Sequence, residues 1–253
     1  MNYIAFYTLF KKEVLRFWKV SLQTISAPII SALLYQLIFS YVMKGREDIM
    51  PGVSYTAFLI PGLAMMSMLN NSFANTSSSL IQSRITGNLI FIQLTPISYI
   101  EFFAAYVGAA ILRGLLVGLG VILVTAFFGL PMPQNILWII FFALSACAVM
   151  GIFGLLAGVV AEKFDQLAMF QNFLIMPLTF LSGVFYSING LPPFWQTLSR
   201  FNPLFYMIDG FRFGFFGQSD ISPYFSACVV LFFLIVLSIL MLALLKSGYK
   251  MRK

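Results

Sequence analysis

Six long apolar runs constrain what this chain can fold into more than any other feature of its sequence. They cover residues 21–43, 55–79, 102–129, 135–160, 167–188 and 223–246. A bilayer core of roughly 30 Å is crossed by about 20 helical residues, so each run is long enough to span it. The chain is also 60% hydrophobic and only 9% charged, whereas soluble domains carry about 25% charged residues. We therefore predict an all-α integral membrane protein with six transmembrane helices.

The residue types that are missing exclude several classes of protein. The sequence has no histidine, which rules out a histidine-based catalytic triad and a histidine metal site. Its two cysteines, Cys147 and Cys228, lie inside different apolar runs and lack the spacing of metal ligands. The phosphate loop G-x-x-x-x-G-K-S/T does not occur. We expect no catalytic residue, metal or cofactor in this chain, and any energy from ATP must come through a partner.

Lysine and arginine residues are distributed asymmetrically about the six runs. Most lie on one side of a six-span arrangement: Lys11, Lys12, Arg16, Lys19, Arg84, Lys163, Lys246, Lys250, Arg252 and Lys253. The opposite side has Lys44, Arg46, Arg200 and Arg212. The positive-inside rule then predicts that both termini are cytoplasmic and that residues 44–54 and 189–222 lie outside. In this pattern the net charge of +7 indicates anchoring to membrane lipids and not nucleic-acid binding.

Residues 1–20 predict an interfacial amphipathic helix. The basic residues follow the apolar ones and no small-residue cleavage site is present, so the segment does not resemble a signal peptide. On a helical wheel, Lys12, Arg16 and Lys19 lie opposite an apolar arc. The arc consists of Tyr3, Phe6, Tyr7, Phe10, Val14, Phe17 and Trp18. We expect this helix to lie along the inner leaflet, either as an anchor alone or also as a docking element for a partner.

A short apolar segment follows the second run. Residues 80–100 form a cytoplasmic excursion, which Gly87 and Pro96 break near both ends. The apolar stretch between these two breaks is too short to span a bilayer. It either inserts into a groove on a soluble partner or forms a structural turn at the interface.

Polar side chains recur along the second run. Ser67, Asn71, Asn75, Ser78 and Gln82 fall within one arc of its helical wheel. Because such side chains are costly in lipid, they should face protein or a water-filled path. The first interpretation is hydrogen bonding between helices. The second is that Ser67, Asn71, Asn75 and Ser78 line a substrate route.

The third and fourth runs contain small residues at regular spacing and one charge. Gly114 and Gly118, and again Gly154 and Gly158, are four positions apart, which permits close approach of helices. Arg113 lies near the middle of the third run, where an unpaired guanidinium is costly. We expect its partner to be a carbonyl or an acid on another helix.

The segment between the fifth and sixth runs combines helix breakers with aromatic residues. The breakers are Gly183, Gly190, Pro192, Pro193 and Pro203. The aromatic residues are Phe185, Tyr186, Phe194, Trp195, Phe201, Phe205, Tyr206, Phe211, Phe213, Phe215 and Phe216. Because irregular backbone at membrane depth must be shielded by protein or line a cavity, we predict a re-entrant helical hairpin over residues 189–222. Asp209 and Arg212 are expected to pair on its second arm. An ordinary aromatic belt is the alternative.

Two stretches of the sequence resemble a known family. "GNLIFIQLTPISYIEFFAAYVGAAILRG" resembles the coupling region and following span of type-2 ABC exporter permeases. "PLTFLSGVFYSINGLPPFWQTLSRFNPLFYMIDGFRFGFFG" is similar to their fifth span and extracytoplasmic re-entrant helices. The likeness extends over essentially the whole chain, and is strongest to small bacterial permeases whose ATPase is a separate polypeptide.

This resemblance implies a homodimer in the bacterial inner membrane, joined by two copies of a cytoplasmic ATPase that bind ATP and Mg. The implied ATPase-coupling residues are Arg84, Gly87, Asn88, Leu94, Thr95 and Pro96. The implied extracytoplasmic gate consists of Phe185, Pro192, Pro193, Trp195, Asn202, Pro203, Asp209 and Arg212. The family often has a glutamate-rich "REGTLE" pattern where this chain has "RITGNLI". The coupling contact is therefore expected to fall on Arg84, Asn88 or backbone.

The predicted function is the permease subunit of an ATP-driven exporter, with residues 1–253 as one transmembrane permease domain. The few charges within the runs favour a hydrophobic or amphipathic cargo such as a lipid, a lipid-linked glycan or a drug. Ion-coupled transport fits poorly because the acids cluster near the ends of the spans. They are Glu101, Glu162, Asp165 and Asp209. The alternatives are an intramembrane lipid-modifying enzyme and a stand-alone secondary transporter.

Overall fold

The computed structural model describes residues 2–43, 50–130 and 132–248. The basic residues at Lys44, Arg46, Lys250, Arg252 and Lys253 lie outside these ranges. The described residues form helices without a β-strand, which confirms the predicted all-α class. The helices are α1 (Tyr3–Trp18), α2 (Ala27–Val42), α3 (Tyr55–Ile85), α4 (Asn88–Leu94), α5 (Tyr99–Thr125), α6 (Ile136–Val160), α7 (Phe164–Met169), α8 (Met176–Phe180), α9 (Pro193–Arg200), α10 (Pro203–Phe216) and α11 (Pro223–Ser247).

Five of the six predicted runs contain a helix that is long and apolar enough to cross a membrane. These helical stretches are Leu22–Val42, Tyr55–Ile85, Tyr99–Phe128, Ile136–Val160 and Pro223–Ser247. The first includes a π-helical start, Leu22–Ser26, that continues into α2. The third includes a 3-10 turn, Ala126–Phe128, at the end of α5. The apolar runs therefore predict five spanning helices to within a few residues.

The predicted run 167–188 has a different shape. Here α7, a π-helical stretch (Phe170–Ile175) and α8 form one continuous helical segment from Phe164 to Phe180. At 1.5 Å per residue this segment is roughly 25 Å long, shorter than the other five. It ends well before residue 188 because the chain turns at Gly183, whose φ of 75° suits glycine.

Helix α3 forms the centre of the bundle. It is buried along most of its length and packs against α2, α5, α6 and α10. Pro61 lies inside this helix near its first turns. Since α3 has protein on almost every side, most of its polar residues are buried within the bundle.

The predicted small-residue pairs lie where α5 and α6 touch α3. A Cβ atom on Gly114 would lie 2.2 Å from the Ser72 hydroxyl oxygen. A Cβ atom on Gly154 would lie 2.3 Å from the Phe73 carbonyl oxygen. Both distances are far below a normal contact, so only glycine permits these helices to approach so closely, as predicted.

Helix α1 packs against α5 through one narrow face. Leu9, Glu13 and Phe17 are buried on that face, whereas Tyr3 and Trp18 are exposed. A helix forms where the sequence predicts one. Its bundle-facing side includes an acid, Glu13, together with part of the predicted apolar arc: Phe17 is buried, and Phe6 and Phe10 are partly buried against the bundle.

The segment between α8 and α11 contains two short helices. Each begins with proline at its first position, at Pro193 and Pro203, where the missing N–H costs nothing. Helix α10 is buried over most of its length against α3, α6 and α11. Helix α9 is largely exposed and carries Trp195. The helix breaks at the predicted prolines are confirmed.

Candidate functional site

The C-terminal end of α3 carries an exposed apolar surface. Gly87, at a φ of 73°, reverses the chain and begins α4. Leu89 is buried against the bundle and holds α4 in place. The α4 patch, as we call this surface, consists of the exposed side chains of Ile85, Ile90, Phe91 and Leu94. Leu94 is 76% exposed.

The C-terminal end of α4 is closed by local hydrogen bonds. The Thr95 hydroxyl donates to the Ile92 carbonyl oxygen at 2.6 Å. The Ile97 N–H donates to the Thr95 carbonyl oxygen at 2.7 Å, so the chain turns at Pro96. Ser98 and Glu101 then form a capping box that begins α5. The α4 patch is therefore held between two ordered helix ends.

Arg84 is engaged within the chain. Its Nη1 donates to the Ala161 carbonyl oxygen at 2.5 Å and its Nη2 to the Val159 carbonyl oxygen at 3.2 Å. These are carbonyls at the C-terminal end of α6, which lack helical partners and attract a cation. Asn88, by contrast, is exposed at the start of α4. Of the two side chains predicted to contact an ATPase here, only Asn88 points away from the bundle.

Arg113 finds its partner on α3. Its Nη2 donates to Asn71 Oδ1 at 2.9 Å, and both residues are only 7% exposed. The Asn71 amide nitrogen in turn donates to the Ser67 backbone carbonyl oxygen at 3.0 Å. The expected carbonyl partner on another helix is therefore the side-chain carbonyl of Asn71. Ser67 is buried beside this pair.

The C-terminal part of the polar arc on α3 contacts α1. Arg16 Nη2 donates to the Asn75 carbonyl oxygen at 2.7 Å and to Asn75 Oδ1 at 3.0 Å. Arg16 Nη1 donates to the Ser78 hydroxyl oxygen at 3.4 Å. Glu13, fully buried, pairs with Lys12 at 2.8 Å and with Arg16 at 3.3 Å. Asn71, Asn75 and Ser78 thus join helices, which supports the first of the two interpretations of the polar arc.

Sequence reasoning missed this cluster because it assigned the basic residues of α1 to lipid headgroups. One feature of the sequence does indicate this cluster. Glu13 is an acid inside the basic face, three positions before Arg16, and that spacing favours an ion pair on a helix. A buried ion pair needs further hydrogen bonds to offset its desolvation, and Asn75 supplies them.

Asp209 and Arg212 do not form the predicted ion pair. The Asp209 carboxylate accepts hydrogen bonds from the Asp220 N–H at 2.9 Å and the Ile221 N–H at 3.0 Å. Arg212 Nη2 donates to the Gly183 carbonyl oxygen at 2.9 Å, and its guanidinium lies 3.8 Å from the Phe58 ring centroid. The prediction was wrong because each of the two side chains hydrogen-bonds to the backbone of a different segment of the chain.

Several predicted gate residues join the segments of this region. Asn202 caps α10 by accepting from the Leu204 N–H at 3.0 Å, and its amide donates to the Leu178 carbonyl oxygen at 2.6 Å. The Phe185 ring packs 5.0 Å from that of Phe39 on α2. Asn202 and Phe185 therefore connect this region to α8 and α2.

The remaining gate candidates lie apart from that network. Pro192, Pro193 and Trp195 are exposed on or beside α9. The Trp195 ring contacts that of Phe194 at 5.4 Å. The predicted gate thus divides into a buried network and an exposed helix.

An acid not included among the gate candidates strengthens the buried network. The Asp220 carboxylate accepts from the Ser187 hydroxyl at 2.5 Å, the Ile188 N–H at 3.0 Å and the Asn189 amide at 3.1 Å. It links the loop before α9 to the loop before α11. No spacing rule identifies it, because the two loops are far apart in the sequence.

Comparison with known proteins places these features in a family. The ABC-2 type transporter family matches residues 4–216, from α1 through α10. The chain is 36% identical over 255 aligned residues to the inner membrane transport permease YadH of Escherichia coli strain K12, which covers 100% of this chain and 98% of the relative. It is 30% identical over 186 residues to nodulation protein J of Rhizobium leguminosarum bv. viciae, covering 70% of this chain and 68% of the relative.

Proposed function

Because the chain belongs to the ABC-2 type transporter family, we propose that it is the permease subunit of an ATP-driven exporter. A separate cytoplasmic ATPase hydrolyses ATP, and two permease chains with two ATPase subunits form the complete transporter. The absence of a phosphate loop from the sequence supports this division of labour. The five apolar helices and the likeness to an inner membrane permease make the chain a multi-pass inner membrane protein.

The observation that carries this proposal is the α4 patch. Exposed apolar side chains beyond the end of a membrane helix need a protein partner or the lipid interface to cover them. The patch is presented by a short helix on an ordered turn, which suits insertion into a groove. In the proposed exporter the ATPase binds here through Leu94 and its neighbours, with Gly87, Asn88, Thr95 and Pro96 shaping the contact.

The contacts of α3 support a route from the docking site to the membrane. Helix α4 follows α3 directly, and α3 packs against most of the bundle. Arg84 ties the end of α3 to the end of α6, and Arg16 ties α1 to Asn75. Displacement of α4 would therefore move α1, α3 and α6 together. We propose that ATP-driven closure of the ATPase pushes α4 and rocks this unit.

For the topology we propose six membrane passages with cytoplasmic termini. The segment Phe164–Phe180 forms the fifth passage, and α9 with α10 forms a re-entrant hairpin in the outer half of the bilayer. Polar capping of the hairpin by Asn202, Asp209 and Asp220 supports a preformed structure. This hairpin is proposed to close the outer end of the route.

For the cargo we propose a hydrophobic or amphipathic molecule, such as a lipid, a lipid-linked glycan or a drug. The helices long enough to span carry few charges, and Arg113, which lies within one of them, is engaged by Asn71. An intramembrane enzyme or a secondary transporter would need no ATPase.

The deciding experiment reconstitutes the chain in vesicles with a cytoplasmic ABC ATPase that co-purifies with it. We expect ATP-dependent movement of a fluorescent lipid or drug, which is lost when the ATPase carries a substituted phosphate-loop lysine. The matched control omits only the permease. Transport of the same rate without ATP, or chemical modification of the lipid by the permease alone, would eliminate the exporter proposal.

A further inference from the structure

Positive charge accumulates where α1, α3 and α5 meet. Arg113 of α5 donates through Nη2 to Asn71 Oδ1 at 2.9 Å. Arg16 of α1 donates through Nη2 to Asn75 Oδ1 at 3.0 Å. Because Asn71 and Asn75 are four positions apart on α3, they lie on one face of that helix, about 5–6 Å apart at Cβ. The positive charge of Arg16 acts unfavourably on that of Arg113. We call these four residues the arginine–asparagine cluster.

The helices around the cluster contain too few acids to balance its charge. The helices that pack most extensively against α5 are α1, α2, α3, α6 and α11, and the acid among them is Glu13 of α1. Glu13 pairs with both Lys12 at 2.8 Å and Arg16 at 3.3 Å. Glu101 of α5 lies roughly 18 Å from Arg113 along the helix and accepts hydrogen bonds at the start of α5. Arg113 therefore has no acidic partner in the part of the chain that the structure describes.

Two N–H donors of the cluster are unused. Arg113 Nε and Asn75 Nδ2 are buried without a hydrogen-bond partner among the described residues. Arg113 is 7% exposed and Asn75 is fully buried. A buried donor that lacks an acceptor is costly, and an ionised acceptor is the strongest partner for a guanidinium N–H. The unused groups therefore favour an acceptor that carries negative charge.

Close packing of helices beside the cluster favours a small ion. Gly114 follows Arg113 directly, and a Cβ atom on Gly114 would lie 2.2 Å from the hydroxyl oxygen of Ser72, the residue after Asn71. Helices α3 and α5 therefore nearly touch here, which leaves little room for the four oxygens of a phosphate or for a lipid headgroup. The Arg16 side chain is 22% exposed, so a small ion can reach the cluster from the surface of the bundle.

We propose that the arginine–asparagine cluster binds one halide ion, which is chloride in the cell. The ion accepts hydrogen bonds from Arg113 Nε and Asn75 Nδ2, and it supplies the negative charge that Glu13 alone does not provide. Because Asn75 is also bonded to Arg16, the ion stabilises the junction of α1, α3 and α5. This inference does not depend on the proposed export function.

The test measures thermal unfolding of the purified permease in detergent, without an ATPase. Sodium chloride is compared with sodium gluconate at equal ionic strength and pH. We expect the unfolding temperature to be at least about 3 °C higher in chloride and to level off as chloride rises, because a ligand of the folded state alone stabilises it. Bromide should act as chloride does. Sulfate is the control for salts that stabilise proteins through exclusion from their surface, and it should give no response that levels off.

Two variants assign the response to the cluster. Asn75→Asp keeps an acceptor for Arg16 and replaces the unused amide nitrogen with a carboxylate oxygen, so that a fixed negative charge substitutes for the ion. We expect this variant to unfold at the same temperature in chloride and in gluconate. Arg113→Gln removes the charge but keeps an N–H donor toward Asn71, and it should also lose the chloride response. Lys11→Gln removes an exposed cation of α1 outside the cluster; it is the matched control and should respond as wild type does.

Equal unfolding temperatures of the wild type in chloride and gluconate would overturn the proposal and assign the unused donors to water. A sulfate response equal to the chloride response would also overturn it, because it would show a general effect of salt. So would a full chloride response in both cluster variants, because the ion would then bind elsewhere. If Arg113→Gln does not fold, Asn75→Asp still decides, since the Asn75 amide nitrogen has no hydrogen bond to lose.

Discussion

Arg16 of α1 donates hydrogen bonds to both oxygens of Asn75 on α3, at 2.7 Å to the backbone carbonyl and 3.0 Å to the side chain. Since Asn75 lies inside the central helix of the bundle, this contact fastens α1 to the core. The amphipathic helix α1 is therefore a structural part of the bundle. Glu13 makes the attachment stronger because it is buried beside Arg16.

Substitution of Arg16 tests this attachment. We expect Arg16→Ala to lower the free energy of unfolding by about 1–3 kcal/mol, because Asn75 loses a charged donor and Glu13 loses one of its two cations. Thermal unfolding in detergent measures the effect. Lys19→Ala, at an exposed position of the same segment, is the control. Equal unfolding temperatures for the two variants would show that the contact contributes nothing.

The proposed topology predicts which residues an impermeant thiol reagent reaches. In a Cys228→Ala background, Ser219→Cys should be labelled in intact cells, because Ser219 lies between the hairpin and α11. Ser247→Cys should be labelled only after the membrane is permeabilised. The reverse pattern would invert the orientation of the chain.

The α4 patch predicts a docking defect from a single charge. Leu94→Asp should reduce co-purification of the ATPase at least about tenfold, because a carboxylate in an apolar groove loses burial and must be desolvated. Leu94→Met keeps the apolar volume and should bind normally. If both variants co-purify with the ATPase as wild type does, the docking site lies elsewhere.

If α9 and α10 form the proposed outer hairpin, we expect a transport defect without a docking defect. We expect Pro192→Ala with Pro193→Ala to lower export, because the enforced break before α9 is relaxed. Trp195→Ala should do the same, because it removes a large interfacial anchor. Basal ATP hydrolysis and assembly with the ATPase should persist in both variants.

Export in these variants must be divided by the amount of folded permease in the membrane. Phe127→Ala serves as the control, since Phe127 is an exposed aromatic residue in the 3-10 turn that follows α5. Near-normal corrected export in the proline and tryptophan variants would show that α9 acts only as an aromatic belt and not as a gate.

The apolar runs predicted helices well because hydropathy and length are local properties. Proline and glycine breaks were also local, and Pro193 and Pro203 begin helices as expected. The early end of the segment at Phe180 escaped prediction because the residues that follow remain apolar while the backbone turns at Gly183. Hydropathy predicts which segments can lie in a membrane and does not predict where a chain reverses.

Contacts between elements that are distant in the sequence could not be predicted from local patterns. Asp209 and Arg212 are close along α10, which suggested an ion pair. In the fold, each has partners from other segments: the Asp220 and Ile221 backbone for the acid, and Gly183 for the base. Helical spacing identifies which side chains are near each other and not which partner each one prefers.

The proline inside α3 has a mechanical consequence. Helix α3 has 31 residues and is therefore a rod about 46 Å long. Pro61 removes one backbone hydrogen bond near the N-terminal end of α3, so the helix bends there most easily. The stiff part runs from Gly62 to the end of the helix that carries α4. This stiff part is about 36 Å long, and a tilt of about 5° around its middle shifts each end by roughly 1.6 Å. The flexible joint at Pro61 lets the N-terminal turns stay in place beside Arg212.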